Sequence, residues 1–412
     1  MGDVIAIDPV FVERCIMALA QHGAHGETGV WRLVYSPAWV AAQEMVAGWC
    51  RDAGMQVRQD AVGTLWGRIE GTEGGKSIVS GSHIDSQAPG GRYDGALGVI
   101  AAYIAMRTLV ERYGQPRRTL ELVSFCEEEG SRYPAADFWG SRALTSRIPP
   151  GAVDEITGYD GTTIAQGMRA IGLDPDRVGD AVRNDIDCFI ELHIEQGPLL
   201  EMAGLPVGIV TGITGPREYW VELIGRSDHA GARPMDLRRD PMAGAAEIIT
   251  GVINTALRMG RPAVTTIGRI GAEPNLVPAV ADKVTFTVDA RHPDPGQRAL
   301  LYERHERLMR EVAARRDLEI RWTITGDQEP APCDPELIAT LEQAARQENI
   351  PFMRIPSGAA HDAQQMARVA NIAMLFVRSK DGRSHTPAEF TSVEDATAGI
   401  SVLAAALHRL AY

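Results

Sequence analysis

The amino-acid sequence predicts an α/β protein: a mixed, mostly parallel sheet with flanking helices, interrupted by a second module of a different kind. Three observations lead there. Residues 77–126 read as strand, helix and strand in succession, the pattern of a βαβ unit. Between about Gly215 and Thr325 the alternation changes to the order βαββαβ, which is that of a ferredoxin-like domain. Beyond it, a short apolar run at residues 372–377 reads as a strand buried on both faces, so the first pattern resumes. The expected division is one domain from residues 1–214 and 327–412, and an inserted one from residues 215–326.

Each element has its own signal. From residue 8 to residue 50 apolar residues recur at helical spacing on both sides of the Gly-rich stretch 23–29, which implies two helices and a loop. Short β-rich runs follow at 55–59 and 65–69, and then Ser77-Ile78-Val79-Ser80, which ends at Gly81-Ser82-His83. Residues 95–113 are apolar at helical period, 119–126 form a nearly continuous apolar run, and 188–193 repeats that strand pattern. Inside the insert, residues 218–225, 263–270, 284–290 and 318–324 read as strands, and 240–259 and 295–314 as helices. Residues 334–347 and 392–410 are helical again, and no internal repeat is visible.

Composition narrows the function classes. With 412 residues, 45% hydrophobic and 23% charged, the chain reads as a soluble globular protein long enough for more than one core. The balance of 41 Lys and Arg against 54 Asp and Glu, a net charge of −13, argues against nucleic acid or an anionic membrane as the partner. A small anionic substrate remains compatible, because a local cluster of metal and arginine outweighs the global field at contact range. Five scattered cysteines without a CxxC pair fit a reducing compartment, and no basic leader or bilayer-length apolar run is present, so a cytoplasmic protein is expected. Met1-Gly2 opens like a myristoylation signal, but Ala6 stands where Ser or Thr is required.

Five short segments concentrate metal-ligating side chains, each read as lying where a strand ends: Gly81-Ser82-His83-Ile84-Asp85, Gly90-Gly91-Arg92-Tyr93-Asp94-Gly95, Glu127-Glu128-Glu129, Glu191-Leu192-His193 and Ser384-His385-Thr386-Pro387. In open α/β sheets ligands bind just beyond the carboxyl ends of the strands. Mixed His and carboxylate sets suit zinc and similar ions, whereas all-oxygen sets suit calcium or magnesium. In His83-Ile84-Asp85 the spacing of two places both side chains on one face, so Asp85 is expected to bond the far imidazole nitrogen and fix its tautomer. Three adjacent carboxylates repel one another unless cations lie nearby. Alternation then lets Glu129 ligate metal while Glu128 reaches a water and serves as a base. The bland alternatives are satisfied polar histidines, a plain Asp-Gly turn and a solvated charge cluster.

These segments, in this order, resemble the family of N-carbamoyl-L-amino-acid hydrolases, allantoate amidohydrolases and β-ureidopropionases, within the wider group of two-zinc aminoacylases and carboxypeptidases. The resemblance runs from about Trp31 to His408. It implies a di-zinc exopeptidase-like catalytic domain, and it makes the insert a dimerisation and lid domain. It also implies two divalent metal ions per subunit, zinc foremost with manganese, cobalt or nickel as alternatives. His83, Asp94 and His193 would hold one ion, and Asp94, Glu129 and His385 the other, with Glu128 as general base. Gln196 matches a substrate-contacting amide, and His229 matches a histidine reaching across from the neighbouring subunit to an oxyanion. Asn275 and Arg291 match the groups that hold a substrate carboxylate. Ala359 and Ala360 fall in the stretch Ser357-Gly-Ala-Ala-His-Asp-Ala363 that lines the substrate pocket, with Ala360 where Gly is common. Tyr133 replaces a frequent Phe, which would add a hydroxyl to the pocket wall.

The expected activity is hydrolysis of the carbamoyl C–N bond of an N-carbamoyl-L-amino acid by a homodimer. Alternatives within that chemistry are allantoate or ureidoglycolate hydrolysis, β-ureidopropionase action, and hydrolysis of N-acyl amino acids or dipeptides. A non-catalytic metal-binding protein on the same fold is the alternative of a different class. A nucleotide-binding enzyme has no support, since neither GxGxxG after the first strand nor a P-loop occurs.

Overall fold

A capping side chain followed by proline starts each of the first two helices. Asp8 accepts from the Val10 amide ahead of α1 (Pro9–Ala20), and Ser36 accepts from the Trp39 amide ahead of α2 (Pro37–Asp52). The computed structural model describes residues 4–412, so the Met1-Gly2 opening lies outside the described residues. Strands β1 (Gln56–Gln59), β2 (Leu65–Ile69) and β3 (Ser77–His83) follow, then helix α3 (Ala96–Tyr113), β4 (Leu120–Phe125), β5 (Ile186–Ile194) and β6 (Val207–Ile213). The insert contributes β7 (Gly215–Ile224), α4 (Pro241–Met259), β8 (Val264–Thr266), β9 (Ile270–Glu273), β10 (Lys283–His292), α5 (Pro295–Arg315) and β11 (Glu319–Asp327). After it come α6 (Pro335–Gln347), β12 (Asn371–Val377) and α7 (Val393–Ala411).

The chain divides into two compact units. One comprises the chain up to Thr211 with Cys333–Ile355 and His361–Tyr412; the other comprises Gly212–Pro332 with Pro356–Ala360. In the first, the strand order is β6-β12-β5-β3-β4-β2-β1. The four middle strands β12, β5, β3 and β4 run parallel, while β6, β2 and β1 are antiparallel to their neighbours. The parallel strands are buried on both faces, which is why they read as continuous apolar runs instead of alternating ones. Helix α3 is buried from Ala96 to Met106 and packs on β3 and β5. Gly98 allows that approach, since a Cβ there would lie 2.3 Å from the Leu192 carbonyl oxygen.

The second unit is an antiparallel sheet of order β8-β10-β7-β11, with β9 also paired to β10. Every second residue of β10 is buried, against a core that includes Val221, Leu223, Ile248, Val252, Phe286 and Met309. The sequence implied one strand over 263–270, and the structure splits it. Thr266 faces Asp289 while Ile270 faces Phe286, so four steps on one strand oppose three on the other, and the extra residue breaks the ladder.

Among the described residues no helix is long and apolar enough to cross a membrane. All five cysteines are buried and none is disulfide-bonded.

Candidate metal centre

In the first unit the ligand-bearing segments meet at the carboxyl ends of β3 and β5. His83 is the last residue of β3 and His193 the last but one of β5, and both rings are nearly inaccessible. Their Nδ1 atoms are held alike. That of His83 lies 3.1 Å from the Asp85 carbonyl oxygen and that of His193 lies 2.9 Å from the Ile194 carbonyl oxygen. A carbonyl only accepts, so both imidazoles carry a proton on Nδ1, which leaves Nε2 as the nitrogen that a metal would take. The sequence had assigned this task to the Asp85 carboxylate. That group stands close by, its Oδ1 3.6 Å from Nδ1, while its Oδ2 accepts the Glu129 amide at 3.1 Å.

Asp94 does not lie at a strand end but at the start of α3, and it is the hub of the cluster. Its Oδ1 lies 3.1 Å from His193 Nε2 and 3.7 Å from His83 Nε2, and its Oδ2 lies 3.5 Å from His385 Nε2. Glu129 Oε2 lies 3.4 Å from His385 Nε2, and Glu128 Oε2 lies 3.5 Å from His83 Nε2. His385 is likewise beyond a strand end, on the loop after β12, and half of its side chain is exposed. The ligand atoms of His83, Asp94 and His193 all lie within 4.8 Å of one another, and so do those of Asp94, Glu129 and His385.

The three glutamates diverge because Glu127 adopts a left-handed backbone, φ 50°. Its Oε1 turns inward and accepts the Arg132 and Tyr133 amides at 3.0 and 2.7 Å, leaving Glu128 and Glu129 to face the imidazoles. Burial pushes the Glu128 carboxyl well above the usual carboxylate range against the pull of His83, and it raises Glu129 to about 8 with help from Asp94. Asp94 goes the other way: burial opposes its charge, but the His193 and His83 imidazoles hold it well below the normal range. Glu129 Oε1 is buried without a partner, as is Gln196 Oε1. Buried carboxylates this numerous, facing imidazole Nε2 atoms beside an orphaned oxygen, are a donor set that fits divalent cations.

Ser384 and Gln196, both marked in the sequence, close on Asp94, whereas Glu389, His361, Asp362 and Ser141 were not singled out. Ser384 Oγ donates to Asp94 Oδ2 at 2.6 Å, and Gln196 Nε2 donates to the same oxygen at 2.8 Å. Glu389 is buried beside the Asp94 backbone. His361 packs edge-on to His193 with ring centroids 4.6 Å apart, and burial holds its pKa well below the ordinary histidine value. Beneath them Glu191 accepts from Ser82 Oγ and the Ala363 amide, and Asp362 accepts from Ser141 Oγ. A His-Asp pair at 361–362 was the only local signal available. Tyr133 was expected on a pocket wall, and the structure corrects this: the residue is fully buried, with its hydroxyl 3.4 Å from Thr162 Oγ1.

The second unit carries the remaining candidates. His229 Nδ1 accepts the Gly231 and Ala232 amides, both at 3.1 Å, so its proton sits on Nε2 and that nitrogen is a donor. Arg291 spans Asp289 with Nε and Nη2, each at 2.8 Å, and its Nη1 donates to the Gly358 carbonyl at 3.0 Å. Asn275 is exposed with a left-handed backbone, φ 54°. Ala359 and Ala360 follow Gly358, and the Ala359 carbonyl accepts from Ser357 Oγ at 2.8 Å.

Comparison with known proteins places this arrangement. The model of the peptidase family M20/M25/M40 matches residues 80–409. An allantoate amidohydrolase of Escherichia coli (strain K12) is 39% identical over 402 residues, 97% of this chain and 98% of that one. An N-carbamoyl-L-amino acid amidohydrolase of Geobacillus stearothermophilus is 40% identical over 400 residues, 94% and 95% of the two chains. The crystal structure of an amidase of the hydantoinase/carbamoylase family from Burkholderia multivorans superposes with a TM-score of 0.92 at 32% identity, covering 98% of each chain. The chain therefore belongs to the peptidase family M20/M25/M40, in its group of allantoate and N-carbamoyl-L-amino-acid amidohydrolases, and is a metal-dependent amidohydrolase.

Proposed function

We propose that the chain hydrolyses the carbamoyl C–N bond of N-carbamoyl-L-amino acids or a related ureido acid, with two divalent cations per subunit and Glu128 as general base. The observation that carries this reading is the placement of Asp94, whose Oδ1 faces the strand imidazoles His83 and His193 while Oδ2 faces His385. One carboxylate thus serves two ligand sets. When bound, the cations polarise the scissile carbonyl and acidify water. Zinc suits the donors, and manganese, cobalt and nickel share them.

Glu128 takes a proton from the attacking water and hands it to the leaving nitrogen, a task helped by a carboxyl whose affinity for protons burial has raised. His229 donates its Nε2 proton to the developing oxyanion, reaching the centre from the neighbouring subunit of a homodimer. Arg291 and Asn275 hold the substrate carboxylate, with Gln196, Ala359 and Ala360 shaping the space around it. Residues 215–326 act as dimerisation and lid domain, and the products are an amino acid, carbon dioxide and ammonia. The unpaired cysteines support a cytoplasmic setting.

The near-equal identity to the allantoate enzyme of Escherichia coli supports allantoate as the second reading. Ammonia release by metal-reconstituted protein, measured on carbamoyl amino acids, ureidopropionate, ureidoglycolate, allantoate and N-acetyl amino acids beside a chelator control, separates them. Carbamoyl amino acids should turn over fastest, and a clear preference for allantoate would replace the first reading with the second. Glu128→Gln should keep its metal while kcat drops by roughly 10³-fold or more, and unchanged turnover would remove Glu128 from the mechanism.

A further inference from the structure

Three of the five ligand residues lie off the strands, Glu129 just beyond β4 and Asp94 and His385 further out. His83 and His193 ride on β3 and β5, but Asp94 stands at a loop–helix junction and His385 on the loop after β12. Glu389 joins these last two. Its side chain is buried, 3% exposed, four residues beyond His385. Its Oε1 accepts the backbone amides of Tyr93 and Asp94, each at 2.9 Å. The amide of Glu389 itself donates to the Thr386 carbonyl at 3.1 Å, which closes its loop into a turn. The fit is close on the other side as well, since a Cβ on Gly91 would lie 2.3 Å from Glu389 Oε1.

We infer that Glu389 is a positioning residue that fastens the His385 loop to the main chain of Asp94 and so sets the spacing of the second ligand set, Asp94, Glu129 and His385. Two hydrogen bonds from one oxygen to consecutive amides fix the Asp94 backbone, which leaves its carboxylate free to face imidazoles on both sides. The first ligand set draws two of its three members from strands and depends on Glu389 less. This inference rests on the two-cation reading.

Metal-depleted protein titrated with cobalt, followed by visible absorbance and elemental analysis, tests both. Wild type should take up two ions per subunit. In Glu389→Ala the first ion should bind within about threefold of wild type while the second weakens about tenfold or more, the size of effect usual for groups that orient ligands. Glu389→Gln keeps an acceptor oxygen for the two amides and should stay within about threefold for both ions. Should the alanine variant not fold, Glu389→Asp, one methylene too short to reach both amides, should lose second-ion affinity in the same direction. Unchanged second-ion affinity in the shortened variants, equal weakening of both ions, or a glutamine variant as impaired as alanine overturns the assignment. Wild type that takes up fewer than two ions overturns the two-cation reading instead.

Discussion

A Cβ on Gly95 would lie 2.3 Å from both Cε1 and Nε2 of His83, and the Gly95 amide donates to His193 Nε2 at 3.1 Å. The glycine after Asp94 is therefore the surface on which both strand imidazoles rest. Its φ of 60° adds a second reason for lacking a side chain. Gly95→Ala should cost about 1–2 kcal/mol in backbone strain alone. It should also displace the His83 ring, so the purified variant should hold less than its full complement of metal while keeping the wild-type circular dichroism spectrum. Full metal content in a folded variant would show that His83 has room to move without loss.

Arg32 is almost wholly buried, and among the described residues no carboxylate bonds it. Its Nε donates to the Ile84 carbonyl at 2.5 Å, and its Nη1 donates to those of Leu19 and His22 at 3.0 and 2.9 Å. Burial pushes its pKa down to about 10, so it stays charged at neutral pH. The guanidinium fastens α1 to the backbone just after His83. Arg32→Met would take this donor from three carbonyls, of which that of Leu19 keeps the His22 amide, and should destabilise the protein by roughly 3 kcal/mol in urea denaturation. A loss below about 1 kcal/mol would mean that water reaches those carbonyls.

Arg291→Lys should raise KM for a carboxylated substrate by roughly 10- to 100-fold with kcat changed only a few-fold, because a lysine cannot span Asp289 and still offer a planar fork. Steady-state kinetics on the best substrate of the panel checks this. A fall in kcat at constant KM would place Arg291 in the chemical step instead of in binding.

His305 gives a pH dependence of stability. It is fully buried on α5, and burial lowers its pKa from 6.5 to about 4. The unfolded chain takes up this proton below about pH 6.5 and the folded chain only below about pH 4, so stability falls as pH drops between those values and levels off beneath them. Integrated over that window the loss is about 3 kcal/mol at most. Melting temperature measured from pH 7 to pH 4 should show a decline attributable to this residue, and His305→Leu should flatten it.

The parallel core was legible because strands buried on both faces leave continuous apolar runs, and 119–126 and 372–377 lie within a residue of β4 and β12. His83 and His193 were legible because they close such runs. Glu389 was not, because its role exists only through amides almost three hundred positions away, and in Thr386-Pro-Ala-Glu389 it reads as an ordinary loop charge. The Gly90-Gly91 pair was the one trace, since Gly91 makes room for that carboxylate. The irregularity between β8 and β9 escaped for a related reason, since a bulge is set by the partner strand and not by the residues that form it.

The place of β12 has a bearing on how the chain is made. It sits between β5 and β6, yet it is encoded beyond the whole insert. During synthesis β5 thus leaves the ribosome with one flank unpaired and apolar, and nothing encoded before the insert can cover it. The strands of the insert pair with one another, so its sheet can form while that flank waits. A chain cut short before Asn371 would keep that flank of β5 unpaired, an open edge prone to association instead of a smaller enzyme.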